Sequence, residues 1–483
     1  MRISRRVSGQ MLAACLLVAS AHALRGQATV TSTPQDRKSI ALTVYNTNLA
    51  FVRDVRQVQL PAGEVRLRLR GVPAKINPSS VHLISQAGHS GPVLIEQQFN
   101  YNLLTPSALL KKYVGKELTL VEYQKENGST KKVSTPAKLL ADNSSPVWQI
   151  DGKVVTGIPH AEYVFPRMPA DFETHPTLVW LLRNPNAGRE TLEFSYLTGG
   201  LSWSADYVLT LAPASKTANL SGWVSLRNES GTAFKDAELQ LVAGNVHRSP
   251  APVMESLGGM QMAKAMATAP TQFSEAPLSD YHLYSLAHPT TLRNNQSKQI
   301  ALLAASGVHI SKTYEVSGQS YYYQSPLSTG ETMKDPVQVH IKFENDKADS
   351  LGIPMPAGTV RVEQEDTDGG VQFIGEDQIP HTPAGEKVNA VIGNAFDISE
   401  TRKQTSFQRI TNHETDAAFE ITIRNQKSKP VTVEVNERFG GDWTITQSNL
   451  PYHKTSAFSA RFSVPVKAKG KSVLDYQVRV LWP

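Results

Sequence analysis

The chain has 483 residues, a formal net charge of +6 and a single cysteine. This length suits roughly two to four domains and a core that needs no cross-links, which excludes the small, disulfide-stabilised secreted modules. Its lysines and arginines form no patch interleaved with aromatic residues, so we expect no nucleic-acid partner.

The N-terminus has the parts of an export signal. The first six residues contain three arginines, an apolar run spans 11–21, and Ala21–Ala23 offers the small residues that signal peptidase reads. We therefore predict a signal peptide at 1–23 and a periplasmic or secreted mature chain. The apolar run is about half the ~20 residues that a membrane-spanning helix needs, and no later run is longer. No transmembrane segment is thus expected after cleavage.

Two alternatives concern the same segment. Residues 12–15 resemble a lipobox that would lipidate Cys15, although apolar residues continue beyond the cysteine. Arg5 and Arg6 resemble the start of a twin-arginine signal, although the usual continuation is missing. Cleavage after Ala23 would remove the only cysteine and lower the formal charge from +6 to about +3.

Alternation of apolar and polar residues recurs along the chain and is typical of half-buried strands. In residues 64–70, Val65, Leu67 and Leu69 alternate with three arginines, which we interpret as a solvated basic stripe. The same period occurs in four later segments, namely 337–343, 419–423, 431–435 and 476–480.

One short helix is predicted at 106–114, with Thr105 as its N-cap and Gly115 just past its end. Residues 118–158 then contain about four short strands. The dipeptide at 151–152, Asp-Gly, is a hairpin signal among them. This region predicts a small inserted subdomain.

Regular strand and turn spacing predicts an all-β fold of tandem immunoglobulin-like antiparallel sandwiches, with a small inserted β-barrel-like subdomain and one short helix. Residues 248–280 are rich in Pro, Ala and Met, so we predict a flexible connection there, with a Met-faced helix at 260–267 as the alternative. The other predicted domains are an N-terminal β-sandwich at 24–95 plus 173–247, the inserted β subdomain at 96–172, and a C-terminal β-sandwich region at 281–483.

Motifs for chemistry are missing from the sequence. The 13 histidines show no HExxH spacing, and there is no GxSxG, phosphate-binding loop or GxGxxG. We therefore expect no cofactor and no metal site built from a local motif.

The most suggestive polar segment is 363–381, where an acidic turn joins two strand-like runs. Glu376 and Asp377, with His381, are its catalytic candidates, because glycoside hydrolysis needs two carboxyls about 5 to 9.5 Å apart. Asp366 and Asp368 are calcium candidates, although calcium takes about six to eight oxygens and the turn offers only part of that shell. A solvated hairpin tip explains the same residues without any ligand, and we prefer it.

Short segments in a fixed order carry a family resemblance. They are 44–46 with 49–50, 109–110 with 113–116, 202–207, 228 with 230–231, 239–244, 351–358, 375–377 and 381–383. Together they resemble the DUF4139 group of uncharacterised exported proteins, some relatives of which are called mucoidy inhibitors. The resemblance implies an exported, β-rich protein and brings no catalytic residues with it.

Two functions fit these observations. The first, which we favour, is a non-enzymatic envelope protein that binds a glycan or another envelope protein through loops on its sandwiches. The second is a carboxylate-dependent hydrolase of envelope polysaccharide that uses Glu376 and Asp377. Residues 321–323, three consecutive tyrosines, would either stack on sugar rings or pack against their own domain.

Overall fold

The computed structural model of the chain describes residues 27–482, with gaps at 87–90, 101–104, 127–128, 144, 159–160, 170–171, 173–174, 214–215, 245, 247–271, 328–331 and 367. The predicted signal peptide, Cys15 and most of the predicted flexible connection lie outside the described residues. Residues 273–278, at the end of that connection, form a strand.

β-Strands dominate the described chain, which confirms the predicted all-β fold class. In the first half, the strands are β1 (Ala28–Ser32), β2 (Arg37–Tyr45), β3 (Leu49–Leu60), β4 (Gly63–Arg70), β5 (His82–Ser85), β6 (Val93–Asn100), β7 (Glu117–Glu126), β8 (Ser129–Asp142), β9 (Pro146–Ile150), β10 (Lys153–Thr156), β11 (Glu162–Val164), β12 (Thr177–Asn184), β13 (Gly188–Thr198), β14 (Leu201–Leu211), β15 (Thr217–Asn228) and β16 (Phe234–Ala243). In the second half, they are β17 (Phe273–Leu278), β18 (Tyr281–Leu286), β19 (Thr290–Leu292), β20 (Gln296–Ser317), β21 (Gln338–Glu344), β22 (Gly358–Glu365), β23 (Val371–Ile379), β24 (Lys387–Asn394), β25 (Ile398–Thr411), β26 (Glu414–Asn425), β27 (Val431–Arg438), β28 (Asp442–Ser448), β29 (Tyr452–Ser456), β30 (Ser459–Val466) and β31 (Lys471–Leu481).

The predicted helix is confirmed as α1 (Pro106–Tyr113). Thr105 caps it, since its side-chain oxygen accepts a hydrogen bond from the backbone N–H of Ala108 at 3.1 Å. Short 3-10 helices occur at Pro34–Asp36, Pro78–Ser80, Ser320–Tyr323 and Lys347–Asp349.

The chain divides into two compact units, each assembled from segments distant in sequence. Unit 1 comprises the residues up to Arg37, Arg56–Val72 and Leu83–Glu193, and unit 2 comprises Lys38–Val55, Pro73–His82 and the chain from Phe194 onward. Alternation along a strand reports which face is buried, but it does not report which distant strand lies beside it. The domain boundaries drawn from sequence stay a prediction.

In unit 1, a four-stranded sheet has the order β1-β4-β12-β6. The alternation predicted for β4 is confirmed, because Val65, Leu67 and Leu69 are completely buried. Arg66 on the opposite face is exposed, while Arg68 is half-buried. The basic stripe is therefore only partly solvated.

The inserted segment of unit 1 forms a five-stranded sheet with the order β10-β9-β8-β7-β11. Asp151 and Gly152, both with positive φ, make the predicted hairpin turn between β9 and β10. The end strands β10 and β11 are only four and three residues long, and no pairing joins them in the described part of the chain. The segment is an open sheet rather than the predicted barrel-like subdomain.

Unit 2 contains a ten-stranded sheet along β23-β22-β14-β15-β20-β27-β30-β29, with β21 and β24 attached beside β20, and a four-stranded sheet ordered β25-β26-β31-β28. Most pairs are antiparallel, but β14 with β22, β20 with β27 and β16 with β2 are parallel. The sequence analysis predicted only antiparallel pairs, because turn motifs identify strands that are consecutive in the chain and pair as hairpins. The parallel pairs join strands that are distant in sequence.

A large apolar core lies in unit 2 between β26 and β31 on one side and β27 and β30 on the other. It buries alternate residues of each strand, including Phe419, Ile421, Val433, Phe462 and Tyr476. This confirms the inward faces predicted for 419–423, 431–435 and 476–480. Among the described residues, no helix has the length and apolarity needed to span a membrane.

Candidate functional site

The predicted acidic hairpin exists in unit 2 as β22, a tight turn and β23. Asp366 closes the turn, because its carboxylate accepts hydrogen bonds from the backbone N–H groups of Asp368 at 3.0 Å and Gly370 at 2.8 Å. Within the described residues, no group of three or more acidic, histidine or cysteine side chains is arranged to hold a metal ion. The carboxylate of Asp366 thus has a structural task in the turn.

The catalytic candidates do not share one face of the sheet. Glu376 and Asp377 are neighbours on β23, and successive side chains of a strand point to opposite faces. One oxygen of Glu376 lies 3.2 Å from Nε of Arg361, and Asp377 accepts the backbone N–H of Val391 at 2.7 Å. Each carboxylate is therefore already held by a neighbour.

His381 lies beyond the end of β23. Its Nδ1 accepts a hydrogen bond from the backbone N–H of Ala357 at 3.1 Å. Burial lowers the pKa of His381, and nearby His282 lowers that pKa further. The histidine is therefore neutral at pH 7 and fastens the chain entering β22.

Two of the segments that carry the family resemblance, 202–207 and 351–358, lie together beside this hairpin. Tyr207 of β14 donates a hydrogen bond to the carbonyl of Pro356 at 2.8 Å, and Asp206 lies 3.4 Å from Arg361. Gly358 pairs with Ala205, and a Cβ at this glycine would collide with the carbonyl oxygen of Ala205. These residues hold β14 against β22, so their task is architectural.

A groove of about 480 Å³ lies in unit 2 along the turn from β28 to β29. The groove is shallow and open to solvent, and one strand–turn–strand segment supplies its whole lining. Its lining is uncharged and consists of Ile445, Thr446, Gln447, Ser448, Asn449, Leu450, Pro451 and Tyr452. We call it the 445–452 groove.

The turn that shapes the groove is firmly held. The backbone N–H of Asn449 donates to the carbonyl of Asp475 at 3.0 Å, and the side-chain oxygen of Asn449 accepts the backbone N–H of Asp475 at 3.0 Å. The side-chain amide also donates to the carbonyl of Val473 at 3.0 Å. Ser448 donates to the carbonyl of Leu450 at 2.6 Å. The groove is therefore formed before any ligand arrives.

Aromatic side chains flank the groove. Tyr452 is 39% exposed, and its ring lies 5.9 Å from that of Trp443. The indole N–H of Trp443 donates to the carbonyl of Ala457 at 2.8 Å, and Nζ of Lys454 lies 5.3 Å from the indole centroid. Phe458, 51% exposed, follows Ala457. This end of unit 2 thus presents aromatic surface beside polar backbone and amide groups.

A buried cluster of charges lies in the core of unit 2. Arg402 on β25 is completely buried, with Nη1 2.7 Å from Glu437 on β27 and Nε 3.6 Å from Glu400. Asp335 lies 3.3 Å from the same Nε. We call these four residues the Arg402 cluster.

Electrostatics in the Arg402 cluster depart strongly from those of surface charges. Burial raises the pKa of Glu400 to about 7, and the carboxylates of Asp335 and Glu437 add to the rise while Arg402 opposes it. Tyr323 donates to Glu437 at 2.6 Å and shares a 2.8 Å hydrogen bond with the hydroxyl of Tyr476. Burial, followed by the charge of Glu437, holds the pKa of Tyr323 well above its usual range.

The sequence interpretation missed this cluster, although a signal was present. Extending the alternation of 431–435 by one step places Glu437 inside the sandwich, and the same period on β25 places Glu400 and Arg402 inside. Of the three tyrosines at 321–323, Tyr322 and Tyr323 are buried and only Tyr321 is exposed. Two of the three pack against their own unit.

The fold and the groove define an all-β protein with a preformed, uncharged candidate binding site at the end of a sandwich core. The family model for the domain of unknown function DUF4139 matches residues 192–483, more than half of the chain. The protein therefore belongs to the DUF4139 family, as the sequence resemblance predicted. The matched region includes both the groove and the Arg402 cluster. A comparison with curated proteins found no match.

Proposed function

We propose that this protein is an exported, non-enzymatic binding protein of the cell envelope and that it holds an uncharged glycan in the 445–452 groove. The lining of the groove carries the proposal. It combines hydroxyl and amide groups, which pair with sugar hydroxyls, with the partly exposed ring of Tyr452, against which the apolar face of a sugar ring packs.

The rigidity of the groove supports binding. The turn at Asn449 is fixed by hydrogen bonds to Val473 and Asp475. A ligand that enters a preformed site does not have to order the protein, so less of the interaction free energy is lost on binding. Sandwich loops of this kind are common recognition sites because rigid sheets hold them in place.

Hydrolysis, the second candidate from the sequence, finds less support. None of the residues that line the groove carries a carboxyl group. Glu376 and Asp377 point to opposite faces of β23, whereas a glycosidase needs two carboxyls that flank one bond. Export is supported by the cationic N-terminus and the apolar run that follows it in the sequence.

The test uses the mature chain and a soluble neutral polysaccharide fraction prepared from cell envelopes. We expect the protein to be retained by this fraction without releasing fragments. Tyr452→Ala should weaken retention about fivefold or more, because tyrosine is enriched among the contact residues whose truncation costs above about 1 kcal/mol. The matched control is Tyr321→Ala, which removes another exposed tyrosine of unit 2.

The triple change of Glu376, Asp377 and His381 to Ala should leave retention intact. Equal binding by the Tyr452 and Tyr321 variants would contradict the proposed groove. Release of soluble fragments that disappears in the triple variant would instead establish the hydrolase.

A further inference from the structure

We infer that Tyr323 and Glu437, although completely buried, are positioning residues for the 445–452 groove. They act by fixing the aromatic rings that stand behind Tyr452. The expected effect on ligand binding rests on the proposed function. The expected effect on the orientation of Trp443 and Tyr452 does not.

One row of rings leads from the buried hydroxyls to the groove. The ring centroids of Tyr323 and Phe439 are 4.9 Å apart, and those of Phe439 and Trp443 are 4.7 Å apart. Trp443 then contacts Tyr452 at 5.9 Å. A change in the tilt of Tyr323 therefore reaches Tyr452 through two intervening rings in close contact.

A second row starts from the same hydroxyl. Tyr323 is hydrogen-bonded to Tyr476 at 2.8 Å, and the ring of Tyr476 lies 5.2 Å from that of Phe462. Phe462 in turn lies 5.9 Å from Tyr452. Both rows thus begin at Tyr323 and end at Tyr452, the exposed aromatic residue of the groove.

Glu437 fixes Tyr323 because it is itself held from two sides. Its carboxylate accepts the Tyr323 hydroxyl at 2.6 Å and pairs with Arg402 at 2.7 Å. Gly318 leaves room for it, since a Cβ there would collide with the Glu437 carboxylate. A hydrogen bond to a charged acceptor is stronger than a neutral one, so Tyr323 has one preferred orientation.

Glu400 should make ligand affinity depend on pH, which a purely structural role for Tyr323 and Glu437 would not do. The charged groups that act on Glu400 are Arg402 on its own strand, Asp335 before β21 and Glu437 on β27. Arg402 in turn faces three titratable hydroxyls, those of Tyr322 and Tyr323 on the 3-10 helix and of Tyr476 on β31. When Glu400 ionises, it competes with Glu437 for Arg402. Glu437 is then held less firmly by Arg402, and the orientation of Tyr323 should become less fixed. Affinity for the ligand should therefore fall as pH rises through about 7.

The experiment compares Tyr323→Phe with Tyr207→Phe in the full mature chain. Both changes remove one hydroxyl from a buried tyrosine of unit 2, but Tyr207 bonds the carbonyl of Pro356 instead of Glu437. Two signals are measured: retention by the neutral polysaccharide fraction, and the fluorine resonance of 5-fluorotryptophan at position 443, assigned with Trp443→Phe.

We expect Tyr323→Phe and Glu437→Gln to shift the Trp443 resonance and to weaken retention about fivefold or more, a common size for coupling between sites. Tyr207→Phe should do neither, whatever its effect on stability. Wild-type affinity should fall between pH 6 and pH 8, and Glu400→Gln should abolish that dependence.

An unshifted Trp443 resonance in Tyr323→Phe overturns the inference, and so does equal retention of Tyr323→Phe and wild type under conditions where Tyr452→Ala loses binding. If the wild type is not retained at all, the proposed function fails, and the resonance alone still decides whether Tyr323 positions Trp443.

Discussion

The hairpin of β22 and β23 and the Arg402 cluster both contain arginine–carboxylate pairs, in very different surroundings. Arg361 and Glu376 keep 28% and 47% of their side-chain surface in contact with solvent, whereas Arg402 and Glu437 keep none. Water screens the first pair, so its removal costs little. The second pair has only its protein partners, so loss of one partner leaves a charge buried and unpaired.

The two regions also differ in the burial of their carboxyl groups. The hairpin carboxylates that attracted attention in the sequence are held by Arg361 and by backbone N–H groups at a sheet surface. The Arg402 cluster contains a carboxyl whose pKa is raised to about 7, that of Glu400. The large pKa shift of a carboxyl thus occurs where the carboxyl is buried. Acidic residues that are close together in the sequence do not reveal that position.

The largest expected effect comes from Arg402→Met. It leaves Glu437 and Glu400 buried without their cation, and we expect unfolding of unit 2 to become easier by about 3 to 5 kcal/mol. Arg361→Met, the matched change in the hairpin, should cost about 1 kcal/mol or less. Chemical denaturation of both variants measures the difference. Losses of similar size would break the comparison between the two regions.

A smaller effect is expected from pH. The folded protein raises the pKa of Glu400 from 4.5 to about 7, so it favours the protonated form. This contribution to stability is complete below about pH 4.5 and is lost as pH rises through 7, for a total of about 3 kcal/mol at most.

The measurement is the difference in unfolding free energy between wild type and Glu400→Gln at pH 5 and pH 8. The wild type should lose stability relative to the variant over that interval. A difference that stays constant, or that changes in the opposite direction, would show that Glu400 is ionised in the folded protein at pH 5.

The smallest expected effect concerns the hairpin turn. Asp366→Ala removes the acceptor for two backbone N–H groups at a partly buried turn, and we expect a loss of about 1 kcal/mol. Asp368→Ala is the control, since the side chain of Asp368 is exposed. Thermal unfolding of both variants with and without added calcium sharpens the result, and stabilisation of the wild type by calcium would contradict a purely structural task for Asp366.

Much of the local structure could be predicted because it depends on neighbours in sequence. The cap at Thr105 acts across three residues, and the turn at Asp151 and Gly152 needs only two residues that tolerate positive φ. The buried face of β4 follows from the alternation of Val65 and its neighbours. The family resemblance likewise rests on short segments in order, and the match over 192–483 confirms it.

The candidate site could not be predicted in the same way. Tyr323 bonds Glu437 114 positions later and Tyr476 153 positions later, and the aromatic row to Tyr452 crosses several strands. The opposite orientations of Glu376 and Asp377 follow from their adjacency on a predicted strand, but the partners that hold them, Arg361 and the backbone of Val391, come from other strands.

The sequence by itself determined that this protein is built of strands, where many of them alternate between core and surface, and to which family the chain belongs. Only the tertiary structure decided which strands pair in parallel, which charges share one buried cluster and where a groove opens. The physical reason is the range of the interactions. Alternation, caps and turns act within a few residues, whereas ion pairs and ring contacts depend on distances in space that chain order does not encode.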